Sequence, residues 1–426
     1  MWLWVNFKSL MRFNPMSLED AVKMLEEGRV KMHELDEVLK DPNMATRVRR
    51  MFLERRLGVR LDAIGSTIID FNQVYRRNTE NTIGAVQIPL GIAGPLLVKG
   101  SYANGLYYIP LATTEGALVA SVNRGAKVVT ENGGARSIVI KDGMARAPLF
   151  KLPSAVDAVE FVNWVNSNLN NIKPIAESGS RHLRLREVQP FIAGNNVWLR
   201  FVFQTGDAMG MNMVTIASER VAKWIEENYP KARLVTVSGN MCVDKKPNAV
   251  NFLLGRGKTV ISEAVISRSY LKERFGILPE DVVEVNNRKN LLGSAYAHSY
   301  GFNAHFANII AAIFIATGQD LAQVVESSMG LTWAEVNENG DLYISVTLPS
   351  LEVGTVGGGT GLPTQREALQ ILGVQGGGSP PGTNALKFAE IVAAAVLAGE
   401  LNLLIAQFRR ELGKAHEMLG RAGKAG

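Results

Sequence analysis

From Ser294 to Gln319 the chain carries no Asp, Glu, Lys or Arg, and its centre, AHFANIIAAIFIATG, is apolar nearly all round a helical wheel. Such a helix has no face for water and needs a core on every side. His298, Asn303, His305 and Asn308 interrupt it, so a buried helix is expected over 304–329, broken at Gly318, rather than a membrane span. With 426 residues and 46% apolar content the chain can supply that core, as two or three domains or as one large domain with an insertion.

The rest of the chain alternates in character. Residues 17–60 have helical patterning, with SLEDAVKMLEEG opening on a Ser-x-x-Asp cap. RVRRMFLERRLGVRL predicts a basic helix with a solvated face. Residues 80–98, ENTIGAVQIPLGIAGPLLV, turn to loop and strand through their Gly, Pro and β-branched content. TTEGALVASVNRGAKVVTENGG, 113–134, predicts a helix with a Thr cap and a glycine stop. Residues 148–236 read as a separate unit of helix, two strands and helix, and the alternation in VWLRFVF points to an α+β sandwich. GTVGGGTGLPTQ and GVQGGGSPPGTN are glycine loops, a helix over 383–412 closes the fold, and residues 410–426 are expected to form a mobile tail.

Net charge narrows the partners. At +6 the chain is mildly basic, which suits anionic small molecules, and no basic tract is interleaved with aromatics as nucleic-acid binding would require. The single cysteine, Cys242, cannot form an intrachain disulfide and points to a reducing compartment. Five scattered histidines give no metal-ligand spacing. The apolar opening MWLWVNF is too short to span a bilayer.

Candidate chemistry gathers in a few segments. In SGNMCVDKKPNAVNF the adjacent Lys245 and Lys246 follow Asp244 where apolar residues lie on both sides. An amine beside another amine and a carboxylate fits a Schiff base, an anion grip, an oxyanion donor, or an exposed turn. Asp320 sits at the break of the apolar helix, as a local cap or as the partner of a lysine. Glu115 is expected in the first turn of a small-residue helix, either as a dipole partner or as a proton donor. His416 lies in a Gly- and Ala-rich tail where packing gives it no purpose, and fits a mobile acid. Ser180 and Arg181 ahead of a strand can grip a phosphate monoester. TGDAMGMNM sets Asp207, Met209, Met211 and Asn212 at a helix mouth, where thioethers against glycine fit a flat ring. The glycines of GTVGGGTG, Gly358 among them, fit a phosphate cradle or a tight turn; no Rossmann fingerprint accompanies them.

In this order, ENTIGAVQIPLGIAGPL, ATTEGALVAS, NRG, DAMGMN, SGNMCVDKKPNAVNFLLGRGK, ATGQDLAQ and GTVGGGTGLPTQ resemble the 3-hydroxy-3-methylglutaryl-coenzyme A (HMG-CoA) reductase family, class I, soluble archaeal type, over roughly 75–416. The resemblance implies an α+β fold: a helical region over 1–75, a large domain over 76–147 and 237–409 built round a long central helix supplied by 304–329, an inserted non-Rossmann NADPH-binding domain over 148–236, and the tail. It implies Glu115, Lys245, Asp320 and His416 as catalytic residues, with Asp320 bonded to both Lys245 and Glu115. Arg146, Ser238, Asp244, Lys246 and Asn308 match substrate contacts. Ser180 and Arg181 match the grip on the 2′-phosphate of NADPH, and Asp207, Met209, Met211, Asn212, Arg124 and Gly358 complete the cofactor set. The implied reaction takes HMG-CoA and two NADPH to mevalonate and free coenzyme A, in a cytoplasmic homodimer or larger homo-oligomer with sites between subunits, no metal, no nucleic acid and no membrane insertion.

Overall fold

The computed structural model describes residues 16–410, which fall into two compact units meeting between Ile88 and Pro89. The first is helical: Leu18–Glu26, Leu35–Leu39, Pro42–Leu57, Asp62–Gly65 and Phe71–Val74. Ser17 caps the first of these by accepting the Asp20 N–H at 3.1 Å. Ala21, Val22, Leu25, Leu35, Ala45 and Val48 form its core. The basic helix is less solvated than its sequence predicts, because Arg49 is fully buried in an ion pair with Asp36 and donates to the Met32 carbonyl at 2.8 Å.

Among its described residues the second unit holds eleven strands: β1 (Leu90–Gly100), β2 (Asn104–Ala112), β3 (Ala135–Arg146), β4 (Leu149–Lys151), β5 (Arg184–Ala193), β6 (Asn196–Gln204), β7 (Arg233–Thr236), β8 (Gly257–Ile266), β9 (Gly301–Phe302), β10 (Gly330–Val336) and β11 (Leu342–Leu351). Hydrogen-bonded neighbours follow the order β7–β4–β6–β3–β8–β11–β10–β9, with β5 beside β6 and the β1–β2 hairpin beside β3. Strand β3 serves two sheets. Its first part pairs with β1 and β8, and its last three residues pair with β6, Met144 opposite Phe203 and Arg146 opposite Phe201. A separate core gathers round β4–β6, with Phe150, Phe161, Leu199, Phe201, Phe203 and Val221 among its members.

The long central helix is Thr383–Phe408, 26 residues, and not the 304–329 stretch. Every residue from Phe388 to Asn402 is buried. By length and composition it could cross a membrane, yet its most apolar stretch is 94% buried inside the fold. Its charges are consumed by distant backbone. Glu390 accepts the N–H groups of Ser101, Tyr102 and Ala103 at 3.1, 2.8 and 2.7 Å, pinning the β1–β2 turn. Burial nonetheless raises the Glu390 carboxyl above its ordinary range, with those three bonds opposing. Glu400 accepts the Ala304 and His305 N–H groups at 2.9 and 2.7 Å and the Thr332 hydroxyl at 2.6 Å.

The 304–329 stretch breaks where its sequence says it should. Its helix covers Phe306–Thr317 and stops at Gly318, whose φ of +70° is left-handed. A Cβ at Gly318 would lie 2.3 Å from the Gly359 carbonyl oxygen, so glycine alone lets the turn after this helix touch the 357–361 loop. A 3₁₀ turn, Leu321–Gln323, and a short helix, Val324–Ser327, complete the segment.

Candidate active site

The loop between β7 and the helix Ala249–Leu254 carries the lysines. Asn240, Val243 and Lys245 all adopt left-handed φ, +66°, +44° and +60°. Such conformations cost about 1–3 kcal/mol each for ordinary residues and persist only where the surroundings over-determine them. Here they do. Trp198 Nε1 donates to the Gly239 carbonyl at 2.6 Å, and Gly239 N–H donates to Ala147 at 2.8 Å. Asn251 Nδ2 donates to the Cys242 carbonyl at 3.0 Å, and the Lys245 N–H donates to the buried Glu326 carboxylate. Asn248 ends the loop by capping the next helix at Asn251 N–H, 2.7 Å.

So held, the Lys245 ammonium lies 2.8 Å from Asp320 Oδ2, with the two side chains 39% and 33% exposed. Asp320 also caps its 3₁₀ turn through Ala322 N–H at 3.1 Å, so local cap and lysine partner are one residue. Lys246 turns elsewhere and donates to the Asp244 carbonyl at 3.1 Å.

Beside the lysine lies a mostly buried polar cluster. Arg146, at the end of β3, donates to Ser238 Oγ at 2.8 Å and Thr215 Oγ1 at 3.0 Å, and lies 3.7 Å from Asp244. Asp244 also meets Arg256 at 3.1 Å and accepts from Gln323 Nε2 at 3.0 Å. Burial pushes the Asp244 carboxyl upward, but Arg256, Gln323, Arg146 and Lys245 outweigh it and hold the group below its usual range.

Beneath these residues, Arg256 is fully buried and contacts Glu326 at 3.0 Å and Glu352 at 2.6 Å. Burial drives the Glu352 carboxyl well up against the pull of Arg256, with Glu326 and Asp244 adding to the rise. Arg256, Glu326, Glu352 and Asn251 stand outside the candidates that the sequence singles out. Arg256 and Glu326 give one signal, charge inside apolar surroundings, in LLGRGKTV and AQVVESSMG.

Glu115 lies in a loop, not in a helical first turn: the helix begins at Leu118, after Ala117 in a left-handed conformation. The Thr113 hydroxyl accepts the Glu115 N–H at 3.0 Å instead of capping that helix. Asn308 Nδ2, on the first turn of Phe306–Thr317, donates to Glu115 at 3.1 Å. A cavity of about 700 Å³ adjoins Asn308, lined also by Pro247 of the lysine loop, Asn303, His305, Ser328 and Met329.

The remaining candidates lie toward the inserted segment. Ser180 and Arg181 occupy the loop before β5, where Ser180 Oγ accepts the His182 N–H at 3.2 Å and Arg181 Nε lies 3.0 Å from His182 Nε2. Asp207 is buried, and its carboxylate accepts the backbone N–H groups of Gly378, Gly382 and Ala385 at 2.9, 2.7 and 3.1 Å. Its carbonyl accepts the Thr355 N–H at 2.7 Å, and Ala208 bridges to Val356, so DAMGMN lies directly against GTVGGG. Met209 packs at the edge of the insert core, Met211 Sδ lies 2.6 Å from Arg256, and Asn212 is exposed at the start of the helix Met211–Asn228. Gly358 has φ +55° and would present a Cβ to open space. Arg124 is exposed on the helix Leu118–Glu131. His416 lies outside the described residues.

A family model described as hydroxymethylglutaryl-coenzyme A reductase matches residues 45–421. The 3-hydroxy-3-methylglutaryl-coenzyme A reductase of Pyrococcus abyssi is 58% identical over 408 residues, covering 95% of this chain and 100% of its own length. That of Aeropyrum pernix is 60% identical over 410 residues, covering 96% and 97%. The 3-hydroxy-3-methylglutaryl-coenzyme A reductase 1 of Dictyostelium discoideum is 45% identical over 412 residues, covering 96% of this chain and 74% of that one. Among solved structures, a class II reductase from Streptococcus pneumoniae, bound to NADPH in open conformations, shares the fold with a TM-score of 0.63 at 19% identity, covering 92% of this chain and 97% of that chain.

Proposed function

The chain belongs to the hydroxymethylglutaryl-coenzyme A reductase family, and from that premise we propose that it reduces HMG-CoA to mevalonate and free coenzyme A at the site around Lys245. The observation that carries this reading is the Lys245 ammonium, fixed in a left-handed loop and set 2.8 Å from Asp320 while still reachable by solvent.

NADPH is the electron donor, and the donor set suits it. An exposed guanidinium beside a hydroxyl, Arg181 and Ser180, matches a phosphate monoester. Met209 and the open Gly358 backbone match a flat ring and its pyrophosphate. When bound, NADPH supplies a hydride to the thioester carbonyl carbon and, after exchange, a second to the aldehyde carbon. At both carbons the oxygen gains negative charge, and Lys245 Nζ donates to it. Asp320, 2.8 Å away, keeps that ammonium aimed. Collapse of the first adduct breaks the C–S bond. The sulfur leaves as a thiolate, whose conjugate thiol has a pKa of about 8.5, and His416 gives it a proton. Glu115 gives a proton to the mevaldehyde oxygen, with Asn308 orienting its carboxyl. Arg146, Ser238, Asp244 and Lys246 hold the hydroxymethylglutaryl carboxylate and hydroxyl, and Arg124 and Asn212 complete the cofactor contacts. Asp207 serves the cofactor by fixing the 376–382 glycine loop to the start of the helix Thr383–Phe408 with its three backbone bonds.

On this reading residues 148–236 form the NADPH domain, 76–147 with 237–409 the catalytic domain, and 1–75 the helical region. The class I, archaeal-type assignment is supported by 58% and 60% identity to the Pyrococcus and Aeropyrum relatives, against 19% to the class II structure. A cytoplasmic enzyme agrees with one unpaired cysteine. A homodimer is supported by Leu90, Ile92, Leu106, Tyr108, Ile138 and Ile140, which leave an apolar row on β1–β3 half exposed. The test is NADPH consumption on adding HMG-CoA: two NADPH oxidised per coenzyme A released supports the reading, and a flat trace with folded protein rejects it.

A further inference from the structure

The buried carboxylate of Glu326 has no task in the mechanism above, yet it touches the reacting lysine. Its side chain is wholly buried on the short helix Val324–Ser327. Both oxygens are engaged: Oε1 accepts from the Lys245 backbone N–H and from Arg256 Nη1 at 3.0 Å, and Oε2 from Asn251 Nδ2 at 2.9 Å and Arg256 Nη1 at 3.1 Å. Arg256 is anchored independently, by Glu352 at 2.6 Å, Asp244 at 3.1 Å and the Ala145 carbonyl at 3.2 Å.

The segment 320–326 grips the lysine loop three times. Asp320 takes the Lys245 ammonium at 2.8 Å, Gln323 donates to the Asp244 carboxylate at 3.0 Å, and Glu326 takes the Lys245 N–H. Lys245 is thus fixed at its head and at its backbone by one piece of chain. Its φ of +60° is disfavoured for a residue with a Cβ, so something must hold that backbone, and Glu326 is the one partner bonded to its N–H. If this backbone relaxes, the whole side chain swings, because the ammonium stands at the end of four methylenes.

We propose that Glu326 is a positioning residue of the reduction: its carboxylate, clamped by Arg256 and Asn251, holds the Lys245 backbone left-handed and so aims the ammonium at the substrate oxygen. The inference rests on the reading of Lys245 as oxyanion donor. It assigns to Glu326 orientation alone, with no contact to substrate or cofactor.

Glu326→Asp keeps the counter-charge for Arg256 but withdraws the acceptor by one methylene. Glu326→Gln keeps an acceptor oxygen at full reach and removes the charge. Both are measured on the purified full chain for kcat with HMG-CoA and with free mevaldehyde, for KM of NADPH, and for labelling of Lys245 relative to Lys246 by an amine-reactive reagent, read by peptide mass. Lys246 is the internal reference on the same loop. Glu326→Asp is expected to lower kcat on both substrates by about 10- to 100-fold, the cost of misplacing a catalytic group by ~1 Å, with KM for NADPH unchanged. It is also expected to raise the Lys245 to Lys246 labelling ratio as the Asp320 pairing loosens. Glu326→Gln is expected to keep most of kcat and the native ratio. Native kcat in Glu326→Asp, a loss of kcat with an unchanged ratio, or an equal loss in both variants overturns the proposal. Glu326→Ala replaces Glu326→Asp, with the same expectations, if the shorter acid does not fold. Lys245→Ala is run beside them: activity surviving there rejects the oxyanion role itself, whatever the Glu326 variants do.

Discussion

Replacing Lys245 by alanine separates chemistry from folding more cleanly than any other change at this site. The lost group is one ammonium, 39% exposed, with one ion-pair partner at 2.8 Å. An ion pair this open to solvent contributes ~0–1 kcal/mol to stability, and its loss lets water solvate Asp320. Alanine keeps the backbone N–H that Glu326 holds, and its Cβ meets the same left-handed penalty that lysine already meets. The melting temperature should therefore barely move. Catalysis has no such cushion. On the proposed mechanism both carbonyl oxygens gain charge where Lys245 Nζ donates, and removal of one oxyanion donor costs about 10²–10³ in kcat, or ~2.7–4 kcal/mol. The assay follows NADPH oxidation with HMG-CoA and, separately, with mevaldehyde, beside a thermal melt of the same preparation. Both activities should fall together while the melt holds. Near-native turnover of either substrate refutes the oxyanion role. A melt that collapses with the activity means that the lysine supports the loop and not the transition state.

The other predictions probe different links. Arg181→Ala should raise KM for NADPH by about 10-fold or more and leave NADH nearly unaffected, since a charge-assisted bond to phosphate contributes ~1.5–3 kcal/mol; equal penalties for both cofactors would reduce Arg181 to a surface residue. His416→Gln should cripple HMG-CoA reduction and spare much of mevaldehyde reduction, because only the thioester expels a thiolate; parallel losses on the two substrates exclude a thiolate acid. Glu352→Gln should show its effect in the pH dependence of stability. Burial holds the folded carboxyl protonated well above its ordinary range, so below the unfolded pKa of about 4.3 the variant and the native chain behave alike. As pH rises past that value the unfolded carboxyl ionises and the folded one does not, so the native chain loses stability that the glutamine keeps. Denaturant midpoints from pH 4 to 8 should diverge in favour of the variant, and parallel curves would mean that Glu352 is ionised in the folded state.

Much of the site was legible because its chemistry is local. The Lys245–Lys246 pair is anomalous among apolar neighbours on either side, and Asp320 is anomalous beside a helix without charge. Gly318 announced the helix break because a left-handed turn after an apolar run favours glycine. Residues 148–236 show period-2 alternation between two helical patterns, and β5, β6 and the flanking helices formed where that pattern lies. These features depend on a residue and its near neighbours, which a sequence states in full.

Which helix occupies the centre depends on what surrounds it, and there the one-dimensional pattern misled. The 304–329 stretch, free of charge as far as Gln319, was expected to supply the central helix, whereas Thr383–Phe408, which does, carries Glu390 and Glu400. Those carboxylates are tolerated at the centre because backbone N–H groups from Ser101–Ala103 and Ala304–His305, remote in sequence, converge on them. The same holds for Asp207, whose three partners lie in the glycine loop ahead of that helix and in its first turn, and for Glu326, which reaches Lys245, Asn251 and Arg256 across the fold. Composition alone specifies that a lysine, an aspartate and a glutamate are present. Only chain closure sets the Lys245 ammonium 2.8 Å from Asp320 and the Glu326 carboxylate against the Lys245 N–H and 3.0 Å from Arg256, where Coulomb and hydrogen-bond energies are large enough to fix a strained loop and aim an ammonium.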